Sequence, residues 1–139
     1  MTIIKINEPV GDASYGPFFL RVSIGAYFIL AALMKLGSME TFIEGVKSLG
    51  VLQGHAAMVY SVLLPYLEFG AGVLLVLGFW TTLSSLIGAA LLCSYIYVFK
   101  VFPFASNLFN KDVILLAGTI CLMYTGAGAF SIDKFRREP

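Results

Sequence analysis

The sequence predicts an all-α, integral membrane four-helix bundle, antiparallel and joined by short loops, and three observations predict it. Of the 139 residues, 59% are hydrophobic and 12% are charged, where an ordinary soluble domain carries about 25% charge. Mean hydropathy is +0.90, and the apolar residues gather into runs near the about 20 residues that a helix needs to cross a bilayer. These runs do not alternate polar and apolar residues as barrel strands do, and a bilayer leaves only helices or closed barrels, because every backbone N–H and C=O must be paired internally.

Residues 1–17 are polar or turn-forming, with Pro9, Gly11, Asp12, Gly16 and Pro17, and read as a cytoplasmic tail. The first apolar run starts late and is too long for the short core of a cleaved signal peptide, so none is expected. The transmembrane domain covers 18–130. Its first span is 18–36, broken only by Arg21 and Lys35. A polar connection follows, within which 41–49 has the pattern of a short amphipathic helix lying on the membrane surface. The second span is 56–80, with Pro65 and Glu68 inside it, and Thr81–Thr82 turns the chain into the third, 82–102. Lys111 and Asp112 open the fourth, 111–130, and 131–139 is a basic cytoplasmic tail.

Small residues at Gly25, Ala32, Gly70, Gly72, Gly88, Ala89, Gly118 and Gly126 allow the close backbone approach that drives helix association in lipid. Lys5, Lys134, Arg136 and Arg137 lie in the two tails, which the positive-inside tendency places in the cytoplasm. A multi-pass protein of a bacterial or archaeal inner membrane is expected, surrounded by lipid, and a bundle this thin suits a homo-oligomer or a larger complex.

Net charge is +1 and no basic stripe runs along any segment, so nucleic acid is not an expected partner. With two Cys and one His, the chain lacks the four Cys of an iron–sulfur cluster and the clustered ligands of a tetrahedral zinc site. No metal and no covalently bound cofactor is expected. Cys93 and Cys121 fall mid-span without a C-x-x-C motif or a neighbouring base and read as small packing residues.

Glu68 carries the most information. It lies about halfway along its span, with ~16 Å of helix to each surface, where a charge costs about 2.5–3.5 kcal/mol to insert. It is either a functional carboxyl or one member of a structural ion pair. Arg21, Gly25, Phe28, Ala32 and Lys35 share one helix face, as do Ser61, Pro65, Glu68, Gly72 and Leu75. The two stripes are expected to face each other around a polar pocket, with Arg21 as the partner of Glu68 and with Pro65 freeing a carbonyl nearby. Lys35, Lys100, Lys111 and Asp112 are expected at one depth near the outer boundary. There they either snorkel or hold an anionic substrate or a quinone oxygen. Tyr95, Tyr97, Phe99, Phe102, Phe104 and Phe109 fit both an aromatic belt and the wall of a quinone site.

At these residues the chain resembles the DoxX family of small four-helix membrane proteins. The resemblance rests on Arg21 followed by Ala32-Leu33-Met34-Lys35-Leu36, on Glu68-Phe69-Gly70-Ala71-Gly72 running to Gly78, on Lys111-Asp112, and on Gly126-Ala127-Gly128 running to Asp133. It implies a subunit of a membrane redox complex, as in the related DoxD/DoxA thiosulfate:quinone oxidoreductase, linked to sulfur or thiol-stress chemistry. Glu68, Arg21 and Lys35 are then the expected catalytic residues, with Glu68 handling the proton that accompanies quinone reduction. Lys100, Lys111 and Asp112 are the expected substrate contacts. Two other classes fit the same residues: a small transporter with an Arg21–Glu68 ion or proton relay, and a non-catalytic scaffold for soluble redox enzymes.

Overall fold

The computed structural model describes residues 11–99 and 111–137. Helices are the only regular elements among them: α1 (Tyr15–Gly37), α2 (Met39–Ser48), α3 (Gly54–Leu77), α4 (Thr81–Phe99), α5 (Lys111–Thr125) and α6 (Ile132–Arg137). The chain is an all-α membrane protein. Three of these helices, α1, α3 and α4, are long and apolar enough to cross a membrane, whereas α5 has 15 residues and falls short of the about 20 of a full crossing.

Before α1, the Asp12 carboxylate accepts the Ser14 backbone N–H at 2.9 Å, and this bond holds its carboxyl below the usual carboxylate range. Pro17 falls among the first N–H positions of α1, which have no intrahelical acceptor, so it costs the helix nothing. The helix buries one stripe, Arg21, Ile24, Gly25, Phe28 and Ala32. The facing stripe of α3 includes Ser61, Pro65, Glu68, Gly72 and Leu75, so the expectation that these two faces meet is met by the packing. They meet at Gly25 and Gly72: a Cβ on Gly25 would stand 2.8 Å from the Gly72 carbonyl, and one on Gly72 2.8 Å from the Gly25 carbonyl. The two helices run antiparallel, since Lys35 reaches Glu68 while Arg21 lies beside Gly78.

Pro65 leaves α3 continuous. The carbonyl that it frees is that of Ser61, about two turns from Glu68, so it does not serve the Glu68 site as the sequence suggested. Because Lys35 meets the middle of α3, the N-terminal half of α3 extends past the end of α1. Helix α2 covers that half: Val46 packs with Ala57 and Val98, flanked by Phe42 and Tyr60. The amphipathic segment expected over 41–49 is therefore a cover on the bundle, with its apolar face turned onto α3 and α4.

Gly78 ends α3 in a left-handed conformation, and a short turn through Trp80 leads into α4. Gly118 approaches Ile24 of α1, and α5 packs on α4 and α1. Gly126, read above as a helix-packing residue, instead stops α5 with Gly128, five residues before the expected end at 130. Gly126 sits at φ +76° and Gly128 at φ +68°, where an L side chain is disfavoured. The segment that follows is docked: the Ala129 N–H donates to the Ser14 carbonyl at 2.9 Å and the Asp133 N–H to the Gly78 carbonyl at 3.0 Å. Asp133 also accepts the Trp80 and Thr81 N–H groups at 2.9 and 2.8 Å, capping α4 from the far end of the chain. Residues 131–137 thus begin as a structural clasp and not as a free tail. Cys93 and Cys121 lie on the outer surface of the bundle, a correction to their reading as packing residues.

The contact at Gly25 and Gly72 leaves no room for a side chain. Gly72→Val is expected to destabilise the bundle by about 1–3 kcal/mol through overpacking. Gly70→Ala, where a Cβ meets open space, is expected not to lower stability. Thermal unfolding of both variants in the same detergent compares them directly.

Candidate functional site

The antiparallel register of α1 and α3 sorts the charged residues into two groups. Lys35, in the last turn of α1, places its Nζ 2.6 Å from Glu68 Oε2. The Glu68 side chain is 1% exposed and that of Lys35 17%. Tyr95 of α4 donates its hydroxyl hydrogen to the same carboxylate oxygen at 2.9 Å, and its own oxygen accepts from Lys35. The Lys35 ammonium also lies 5.8 Å from the centre of the Phe42 ring. A carboxylate, a phenol and one aromatic face therefore surround one ammonium.

This group forms part of the wall of a cavity of about 590 Å³, within the usual range for small-molecule sites, about 300–1,000 Å³. Apolar and aromatic side chains make up most of the wall, among them Tyr27, Phe42, Leu92 and Phe99. Lys111 and Asp112 also line it. Lys111 Nζ stands 4.0 Å from Asp112 Oδ1, with the lysine side chain 68% exposed, a geometry that contributes little to stability. It also sits 6.0 Å from the Tyr27 ring.

Arg21 belongs elsewhere. It is fully buried, and its Nη2 donates to the carbonyls of Ala129 and Phe130 at 3.4 and 3.0 Å, while the guanidinium lies over Phe18. Fourteen helical residues separate Arg21 from Lys35, about 21 Å along α1, and antiparallel packing aligns Lys35 with Glu68. The expected Arg21–Glu68 pairing is corrected to Lys35–Glu68. Between the two lie Ile24, Phe28, Leu75, Leu92 and Leu122, all buried in one apolar cluster.

Of the expected site residues, the structure thus gathers Glu68, Lys35, Lys111 and Asp112 around one cavity and separates Arg21 from them. Lys100, with Phe102, Phe104 and Phe109, lies outside the described residues. Tyr97 and Cys93 face outward. The residue that the sequence left open between an aromatic belt and a site wall, and that the structure brings to the group, is Tyr95. Its signal was available: Ser85, Gly88, Leu92 and Tyr95 recur at helical spacing, and all are buried. Lys35 was expected at the outer boundary, but α2 folds over this level and brings it inside.

The fold and the cavity define a helical membrane protein with a polar, aromatic-walled pocket set into one end of its bundle. A family model described as methylamine utilisation protein MauE matches residues 13–111, and the chain belongs to this family. The match spans Arg21, Lys35, Glu68, Tyr95 and Lys111, and it overturns the resemblance to DoxX. The glycines and charges that carried that resemblance serve helix contact, helix ending and ion pairing, which any bundle of this kind needs. No curated protein and no solved structure matches the chain.

Removing one partner of a buried ion pair leaves the other uncompensated. Lys35→Met is therefore expected to cost about 3 kcal/mol. Lys35→Met combined with Glu68→Gln is expected to recover most of that loss. A double-mutant cycle read by thermal unfolding in detergent tests the coupling, and additive losses would show that the pair does not form.

Proposed function

We propose that this MauE-family chain is a quinone-binding membrane component of a redox system that supports the use of methylamine. The observation that carries the reading is the pocket: aromatic walls beside a lysine, a carboxylate and a phenol joined by hydrogen bonds. Using methylamine as a nutrient calls for oxidation of its carbon, and the electrons released need an acceptor. A quinone supplies that chemistry, taking up two electrons and two protons per ring.

The chain's own residues suit such a ligand. Tyr27, Phe42 and Phe99 offer flat faces for a ring. The Lys35 ammonium donates hydrogen bonds to a carbonyl oxygen, and its charge favours the negative charge that gathers there on reduction. Tyr95 and Glu68 Oε2 share hydrogen bonds with Lys35, so a proton given up by the ammonium is replaced by that of the phenol, and the group then takes up a proton from water through the open cavity. Lys111 and Asp112 provide a second charged pair in the cavity wall.

The docked C-terminal segment bears on orientation. Ser14 bonds to Ala129, so residues 11–14 and the segment after α5 lie together at the Arg21 end, with Lys134 and Arg136. The positive-inside tendency supports a cytoplasmic position for that end, in a bacterial or archaeal inner membrane. The pocket then opens in the outer half of the bilayer. Packing of α5 against α1 and α4 supports α5 as part of the same bundle. A quinone takes its electrons from a donor, so the reading calls for a further subunit in the working assembly. The apolar layer between Arg21 and Glu68 favours a one-sided pocket over a relay running between those two residues.

Protein purified gently from native membranes is expected to carry near-stoichiometric quinone on extraction and chromatography, and Glu68→Gln is expected to lose it. Absence of quinone from both samples would overturn the proposal.

A further inference from the structure

The surroundings of Lys35 Nζ are those of a ligand site for a primary ammonium ion. A carboxylate oxygen lies at 2.6 Å, the Tyr95 oxygen accepts a second hydrogen bond, and the Phe42 ring lies at 5.8 Å. An aromatic face with an anionic partner is chemistry by which proteins recognise organic cations. The corner opens onto a cavity large enough for a small molecule. The occupant is supplied by the chain itself.

We infer that Lys35 is the specificity-determining residue of the pocket, filling an ammonium slot formed by Glu68, Tyr95 and Phe42 and so excluding free alkylammonium ions. The inference stands on this geometry and not on the quinone reading. It has a direct consequence for a family described by methylamine utilisation. Methylammonium carries the same head group as Lys35, but it lacks the covalent tether that keeps Lys35 at a high local concentration beside Glu68. The tethered cation wins, and the wild-type pocket is left to ligands that accept hydrogen bonds from an ammonium.

Replacing Lys35 with alanine removes Cγ, Cδ, Cε and Nζ, which are the heavy atoms of n-propylammonium. The truncated protein should therefore bind that ion. Thermal unfolding of full-length protein in lipid nanodiscs is measured with increasing n-propylammonium chloride, with sodium chloride as the ionic-strength control. Lys35→Ala is expected to show a saturable rise in Tm with n-propylammonium, a smaller one with methylammonium, and none with tetrapropylammonium, which is too bulky for the slot. The wild type is expected to show no rise beyond the salt control with either primary ammonium. Adding Glu68→Gln to Lys35→Ala is expected to abolish the effect.

Equal responses of wild type and Lys35→Ala, or no response in Lys35→Ala beyond sodium chloride, would overturn the inference. Where Lys35→Ala does not accumulate, its yield is compared in cells grown with and without n-propylammonium. Amine-dependent recovery supports the slot, and failure under both conditions counts against it. None of these outcomes depends on quinone content.

Discussion

Everything that distinguishes the two ends of this molecule depends on the backbone contact between α1 and α3 at Gly25 and Gly72. Lipid competes for apolar surface as well as leucine does, so helices in a bilayer associate where small residues bring backbones into van der Waals range. Here each glycine approaches the carbonyl of the other, and that reciprocity fixes the antiparallel register. Once Gly25 lies against Gly72, Lys35 has to fall beside Glu68 and Arg21 beside Gly78. Shifting either helix by one turn would strand two charges in an apolar layer.

That layer gives the bundle its division of labour. On one side of Ile24, Phe28, Leu75, Leu92 and Leu122, Arg21 and Asp133 bind the backbone of the C-terminal segment and of the α3–α4 turn. Chain that is not helical inside a membrane protein needs other partners for its N–H and C=O groups. Arg21 supplies donors to two carbonyls, and Asp133 accepts two amides. On the other side, the charges of Lys35 and Glu68 meet each other and a cavity. The helix α2 belongs to this side as well, because α3 outruns α1 there and would otherwise expose its N-terminal half along one flank.

Much of this was legible in the sequence. The apolar runs gave the helices, and the stripes at three- and four-residue spacing gave the faces of α1 and α3 that meet. What was not legible was the vertical register. Reach along a side chain made Arg21 a reasonable partner for Glu68, but antiparallel packing reverses the order of one stripe, and no spacing within a single helix reports that. Glycine was ambiguous for a related reason: Gly72 packs and Gly126 terminates, yet both stand in a Gly-Ala-Gly sequence among apolar neighbours. Only φ, +76° at Gly126, separates the two uses. Family assignment failed on the same ambiguity, since motifs built of packing glycines and paired charges are shared solutions to a shared solvent. The MauE match extends over residues 13–111.

Burial alone does not separate a structural charge from a functional one. Arg21 and Glu68 are both almost completely buried, and both carry the same insertion penalty. A buried ion pair is weak evidence of stabilisation, because well-packed apolar residues often do as well or better in its place. What each charge faces decides the matter. Arg21 faces carbonyls that would otherwise lack donors, so an apolar residue there would leave the C-terminal segment unsatisfied. Glu68 faces a lysine and a tyrosine whose charges and hydrogen bonds are needed chiefly because Glu68 is there. Replacing all three by apolar residues of similar volume would leave no backbone group unpaired, so the polar atoms of the group are not what the fold requires. A self-contained polar cluster of that kind, set in the wall of an aromatic cavity, is what the proposed quinone reading rests on.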